Sequence, residues 1–381
     1  MPTPLTPARR HAARRVGVPL AVALGALLLY FLRFGYDYGT SDQDEIVPYL
    51  LHRLDAGVLA EDWFVAGQAA GYGVRTVFVT LLDAPARWLG PEAAVLGVYV
   101  LVWIALAWGV FALARQLTGE RLAAALAVAG ALVLTPQWTL GGNDMAVRML
   151  VPSMAAWTLA VWGAVVFLRA RYLGSGLLLG AAAALQALVG LQMAGVLGVA
   201  LVLRLPRRDA RGADVLRLAG GFLLIALPAL APLVLQQTAS APAPGDGPSL
   251  FYMMAAFRNP HHYLPFSFPL ASYLRFGLLA FLGGLGFAFL RGRGRLRHGA
   301  FVLHVFGVVA ALGLVGLVFT EGVPVLGIAK LQLFKTTVFA KLLLVILVCG
   351  AAVQGLPEAY LRPLRRLLQR PLLLLGLGLG G

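Results

Sequence analysis

The sequence predicts an all-α protein, a polytopic transmembrane helix bundle, and three observations carry that expectation. Of its 381 residues, 60% are hydrophobic and only 12% charged, with a mean hydropathy of +0.83. A soluble domain of that length could not keep such a surface in water. Apolar stretches long enough to cross a bilayer recur along the whole chain. These Leu-, Ala-, Gly- and Val-rich runs lack the ~10-residue alternation of a membrane barrel. Inside lipid every backbone polar group must be satisfied internally, so the spans are helices. About nine to ten membrane-inserted helices are expected, with one or two more at the interface.

Charge orients the bundle. The formal net charge is +15, yet the basic residues sit in short clusters between apolar runs. Arg9, Arg10, Arg14 and Arg15 form the first, and Arg204, Arg207, Arg208 and Arg211 the second. Arg291, Arg293, Arg295 and Arg297 follow, then Arg362, Arg365, Arg366 and Arg370. Clusters of this kind mark cytoplasmic loops rather than a nucleic-acid surface. They predict a protein of the cytoplasmic membrane with a cytoplasmic N-terminus. Cys349 is the only cysteine, which excludes an intrachain disulfide and a cysteine-metal cluster.

On this threading the chain is one transmembrane domain, 1–381. The first span, 16–34, follows a basic region with no small-residue cleavage site before Arg33 and Tyr36, so it reads as uncleaved. Residues 35–92 form an acidic extracytoplasmic loop. Within it 74–89, with Arg75, Asp83, Pro85 and Arg87, suits an interfacial or partly inserted helix. The helical core covers 93–235. It runs inward over 93–114 and outward over 121–138 to a turn at Gly141-Gly142-Asn143-Asp144, then inward again over 149–168. Residues 174–204 begin and end at basic residues. A hairpin of two short helices turning near Gln186, Gly190 and Gln192 fits both ends being cytoplasmic; one long helix is the alternative. After an outward span at 216–235 comes a second extracytoplasmic loop, 236–270, and the last full spans occupy 271–354. Residues 355–381 read as a basic cytoplasmic tail and the start of a further, incomplete helix.

Three segments carry chemistry. Nine of the 16 acidic residues fall within 35–92: Asp37, Asp42, Asp44, Glu45, Asp55, Glu61, Asp62, Asp83 and Glu92. The densest run, Ser41-Asp42-Gln43-Asp44-Glu45, precedes Ile46, Tyr49, Leu50 and Leu54, spaced for one face of an amphipathic helix. Thr40 with Gln43, or Ser41 with Asp44, would make a capping box, and acids in a first turn complement the helix dipole. Capping leaves part of a three-carboxylate cluster unexplained, so Asp42, Asp44 and Glu45 are candidates for a general base or for ligands to a divalent cation. No other cofactor is indicated. The second segment, Arg258-Asn259-Pro260-His261-His262-Tyr263, offers donors for phosphate oxygens. In a strand its adjacent histidines would face opposite sides. The third holds the only lysines of the chain, Lys330, Lys335 and Lys341. Lys330 can snorkel outward, whereas a deeper Lys335 or Lys341 needs an acid, a carbonyl or a bound anion. On an unbroken helix Gln332 and Lys335 share a face, and Lys330 and Lys341 share another. Gln186 and Gln192 read as interhelical hydrogen-bonders.

Together these features resemble the GT-C superfamily of integral membrane glycosyltransferases, in an uncharacterised bacterial branch. The likeness rests on Ser41-Asp42-Gln43-Asp44-Glu45 with Pro48, on Asp62, and on the Gly-rich hairpin at 176–203. Arg258-Asn-Pro-His261-His262-Tyr263 and Leu331-Gln332 followed by Lys335 complete it. Membership would imply transfer of a sugar from a polyprenyl-phosphate carrier to an acceptor on the extracytoplasmic side of the cell envelope. An acid after the first helix, from Asp42, Asp44 and Glu45, would serve as base or metal ligand. Lys335, Arg258, His261, His262 and Arg148 would hold the donor phosphate, supported by Asp62, Gln332 and Tyr263. The alternatives are a transporter or flippase of a lipid-linked or anionic substrate, and a non-catalytic membrane scaffold.

Overall fold

A computed structural model of the chain describes residues 7–239 and 249–369. The expected start of a further helix at 371–381 lies outside them, as does part of the 236–270 loop. The described residues contain no strand. Helix α1 (Pro7–Phe34) leads into α2 (Gln43–Leu54), α3 (Trp63–Ala69) and α4 (Thr76–Leu89). Next come α5 (Pro91–Thr118) and α6 (Arg121–Ala129), the latter prolonged by a π turn over Gly130–Leu134. Helices α7 (Pro152–Leu168), α8 (Tyr172–Leu185), α9 (Ala187–Val202) and α10 (Gly212–Ala239) follow. After a π turn at Tyr252–Arg258 come α11 (Pro260–Tyr263), α12 (Leu270–Gly292) and α13 (Gly299–Leu317). The last are α14 (Leu326–Lys330), α15 (Thr337–Gly355) and α16 (Glu358–Gln369).

Among the described residues six helical segments are long and apolar enough to cross a membrane: 16–34, 91–118, 212–236, 270–292, 299–322 and 326–355. Four shorter apolar segments, 121–134, 152–168, 172–185 and 187–202, pack among them. The chain is therefore an all-helical membrane protein. Helix α4, 14 residues long, reaches only about 21 Å at 1.5 Å per residue and cannot cross alone. It buries Phe78, Val79, Leu82 and Ala86, and Arg53 of α2 pairs with its Asp83 at 2.5 Å.

The 174–204 stretch folds as two helices, with Gln186 extended between them and its side chain accepting from the Leu188 amide. Gly190 lies so close to Ala183 that a Cβ there would meet the Ala183 backbone at 2.2 Å, so the chain doubles back at this point. Close approach also joins α8 to α10. A Cβ on Gly176 would lie 2.2 Å from the Leu218 carbonyl, and one on Gly221 2.4 Å from the Leu173 carbonyl. Small residues let membrane helices pack backbone to backbone where no hydrophobic force between helices is available.

The last membrane segment is not one helix. It breaks after α14: Gln332 is left-handed, with φ +47°, and a 3-10 turn at Leu333–Thr336 precedes α15. Gln192 of α9 donates to the carbonyls of Leu331 at 2.5 Å and Gln332 at 3.2 Å. Backbone groups freed inside a membrane must find such partners. The shared helical faces expected for Gln332 with Lys335, and for Lys330 with Lys341, are corrected by this break.

The basic clusters at 204–211 and 291–297 lie at helix ends, and that at 362–366 lies on α16. The Arg297 amide donates to the Leu117 carbonyl, Arg365 pairs with Glu120 at 3.0 Å, and Arg293 donates to the Gln354 carbonyl. Arg207 lies beside His304 near the start of α13. The acidic loop sits at the other end of α5, whose 28 residues separate the two ends by about 42 Å.

Candidate functional site

The acidic run is positioned by a glutamine. Gln43 is fully buried; its Oε1 accepts from the Gly39 amide at 2.8 Å and its Nε2 donates to the Leu150 carbonyl at 3.1 Å. Gln43, Ile46 and Leu50 recur at helical spacing and are buried together, so Gln43 belongs to the core face of α2. Neither capping box forms. Asp42 occupies the N-cap position without a side-chain hydrogen bond, and Gln43 turns back to Gly39. The Asp42 carboxylate is exposed and lies within electrostatic range of both Lys335 and His262. The Asp44 carboxylate is exposed and has no hydrogen-bond or ion-pair partner among the described residues. Glu45 is held by Arg75 at 3.2 Å. Asp62 caps α3, accepting from the amides of Phe64 and Val65, a structural duty that accounts for it.

The histidine segment folds as a helical turn, not the strand in which its histidines would face apart. The His261 and His262 rings lie 4.1 Å apart and close over Gly142. That residue and Gly141 have φ of +66° and +77°, a conformation that suits glycine. His262 Nδ1 lies 2.7 Å from the Gly141 carbonyl oxygen. A carbonyl only accepts, so Nδ1 carries the proton and Nε2 is left for another partner. Burial pushes the His262 pKa down; the Gly141 carbonyl and Asp42 act in the opposite direction, while His261 and Lys335 lower it further. Tyr263 is buried, and its hydroxyl accepts from Gln332 Nε2 at 2.9 Å.

Lys335 stands in the 3-10 turn of the helix break, 7% exposed. Its ammonium has no hydrogen bond or ion pair among the described residues; Asp42 and Arg75 are the charges that act on it. Lys341 differs. Its Nζ lies 2.7 Å from Asp144 Oδ1 and 2.8 Å from the Thr135 carbonyl. Asp144 also accepts from the Gln137 and Met145 amides, and so orders the turn between α6 and α7. Lys330 is exposed, in keeping with a snorkelling side chain.

Asp42, His261, His262 and Lys335 therefore share one neighbourhood, with Gln332 and Tyr263 bracing its wall. Two expected members lie elsewhere. Arg148 is engaged by Asp37 at 3.0 Å. Arg258 faces an adjoining cavity of about 390 Å3 whose lining includes Glu45, Arg75, Tyr49 and Gln236. Arg75, Gln43 and Asp144 were missed. Of these only Gln43 carried a sequence signal, its helical spacing with Ile46 and Leu50. Among the described residues no group of three or more His, Cys, Asp or Glu is placed to hold a metal ion. The unpaired ammonium, a neighbouring imidazole and one uncommitted carboxylate can together bind an anion and accept a proton beside it. No protein-family model matches this sequence, and no curated protein or solved structure is significantly similar to it.

Proposed function

We propose that the chain is a GT-C-like membrane glycosyltransferase that takes its sugar from a polyprenyl-phosphate donor. The observation that carries the reading is Lys335: a buried ammonium without a counter-ion among the described residues, within electrostatic range of the exposed Asp42 carboxylate. Such a charge in a membrane segment is costly unless an anion meets it. In the proposed reaction the acceptor hydroxyl attacks the anomeric carbon and Asp42 takes its proton. The bond from that carbon to the phosphate oxygen breaks, and the lipid phosphate leaves neutralised by Lys335. Positioning, phosphate neutralisation and one base suffice for so good a leaving group. The basic end of the bundle would face the cytoplasm, putting this site on the extracytoplasmic side. The six long and four shorter apolar helices together would supply the membrane-inserted set.

The test is transfer of labelled sugar from a polyprenyl-phosphate donor by the purified protein. Wild type is expected to release free lipid phosphate, and Asp42→Asn to lose about 10²-fold or more of that turnover. Donor binding by wild type without any release, across a panel of hydroxyl acceptors, would overturn the transferase reading. One observation favours a second reading, a transporter of the same anionic substrate. Two interrupted membrane segments, at Gln186 and Gln332, meet through Gln192, and discontinuous helices recur at transport sites. Movement of intact donor between leaflets of a vesicle would distinguish it.

A further inference from the structure

At the other end of the bundle, Arg207 and Arg291 line a cavity of about 530 Å3 with Leu296, Leu303 and His304, closed by Gly299 and Ala300 in the first turn of α13. No carboxylate lines it, and neither arginine has an ion pair among the described residues. Asp214, at the start of α10, is taken by Arg217 at 3.0 Å. Arg207 Nη1 lies 3.4 Å from His304 Nε2. A guanidinium only donates, so Nε2 is the acceptor and the imidazole proton sits on Nδ1. That Nδ1 is buried without a hydrogen-bond partner. The Arg291 guanidinium rests over the Phe287 ring, 5.8 Å from its centroid.

This basic cavity adjoins an apolar one. Leu303 lines both it and a cleft of about 370 Å3 between α12 and α13. Gly284 and Phe287 of α12 face Leu303, Phe306 and Ala310 of α13 across the cleft, with Leu344 of α15 as part of its floor. On each helix these positions recur at three- or four-residue steps, so one stripe of each is left without a helical partner. A cationic cavity thus adjoins a slot the chemistry of a hydrocarbon chain would fill.

We propose that α12, α13 and the Arg207 loop form a site for one anionic phospholipid, its phosphate between Arg207 and Arg291 and an acyl chain in the α12–α13 cleft. Charge complementarity selects the occupant: two arginines without counter-ions among the described residues, next to an apolar slot, match a lipid that joins one anionic charge to a hydrocarbon chain. Basic pockets between membrane helices recruit anionic headgroups in this way.

The experiment uses the purified full chain in a zwitterionic detergent, titrated with phosphatidylglycerol, phosphatidylcholine or inorganic phosphate. Native mass spectrometry reads bound lipid and thermal unfolding reads stabilisation. Phosphatidylglycerol is expected to bind and stabilise; phosphatidylcholine and inorganic phosphate at the same concentration are not. Each arginine near a membrane surface contributes roughly a fivefold factor, so R207Q should weaken phosphatidylglycerol by about that much and R207Q/R291Q by over about tenfold. The exposed Arg207 makes the single variant a folding-safe control. Gly284→Phe fills the cleft where a Cβ meets nothing within 4 Å, and should weaken phosphatidylglycerol with both arginines in place. Unchanged phosphatidylglycerol affinity in folded R207Q/R291Q overturns the proposal. Equal binding of phosphate and phosphatidylglycerol, indifferent to Gly284→Phe, also overturns it and leaves a free-anion site only.

Discussion

Lys335 and Lys341 stand close together on the last membrane segment, both buried, yet they are solved in opposite ways. Lys341 lies on α15 with a carboxylate at 2.7 Å and a carbonyl at 2.8 Å, so its charge is neutralised within the protein. Lys335 sits on the break before α15, where Gln332 is left-handed and the chain is pinned by Gln192 and Tyr263 rather than by its own helix. Its ammonium has no counter-ion among the described residues. The contrast teaches that a buried charge is not by itself a sign of function; an unanswered one marks the candidate. The same contrast separates the acids, since Asp144 and Asp62 are spent on the fold while Asp42 is not.

The comparison breaks most decisively at the paired lysine. Lys341→Met leaves Asp144 buried without its cation, and removing one partner of a buried pair costs about 3–5 kcal/mol. Denaturation of the purified variant in detergent should show that loss, and Asp144→Asn added to it should recover part. If Lys341→Met were as stable as wild type, the pair would be no anchor.

Lys335→Met is the opposite case. Stability should hold or rise, because no protein partner is orphaned, whereas binding of a polyprenyl-phosphate should fall about 10- to 100-fold for the loss of a charge-assisted contact. Lys335→Arg should keep part of the binding, since the charge remains in a different geometry. Equal affinity in wild type and Lys335→Met would remove the residue from the site.

The two aspartates at helix starts sharpen the contrast at smaller scale. Asp62→Ala deletes two hydrogen bonds at the α3 N-terminus and should cost about 0.5–2 kcal/mol. Asp42→Ala deletes none and should leave unfolding unchanged. Identical losses in the two variants would mean that Asp42 caps α2 after all.

The smallest effect concerns pH. Burial holds the His262 pKa below its ordinary value of 6.5, so the unfolded chain takes up that proton first. Above the ordinary value His262 contributes no pH dependence. As pH falls through it toward the depressed folded value, the folded state loses stability, and the loss then levels off. His262→Gln should flatten that limb of the stability–pH curve; an unchanged limb would assign it to another group.

The sequence alone determined the class of fold, because hydropathy, span length and the spacing of arginine clusters are local quantities that survive without tertiary information. It also marked the segments that matter: the run at Asp42, the His261–His262 pair and the three lysines are each unusual in an apolar, arginine-using chain. Gln43 was legible as a core position by its helical spacing, had its polarity not argued otherwise. What no periodicity could state was pairing. Asp144 meets Lys341, Asp37 meets Arg148 and Arg75 meets Glu45 across long separations in the chain, and each pair could be drawn several ways from the sequence. The break at Gln332 is likewise a tertiary decision, since neither glycine nor proline marks it between Ile328 and Lys341. It is the carbonyl-binding side chain of Gln192, delivered by another helix, that satisfies the interrupted backbone. Which charges are spent on the fold and which are left for a ligand depends on distances between helices, and those exist only once the bundle has packed.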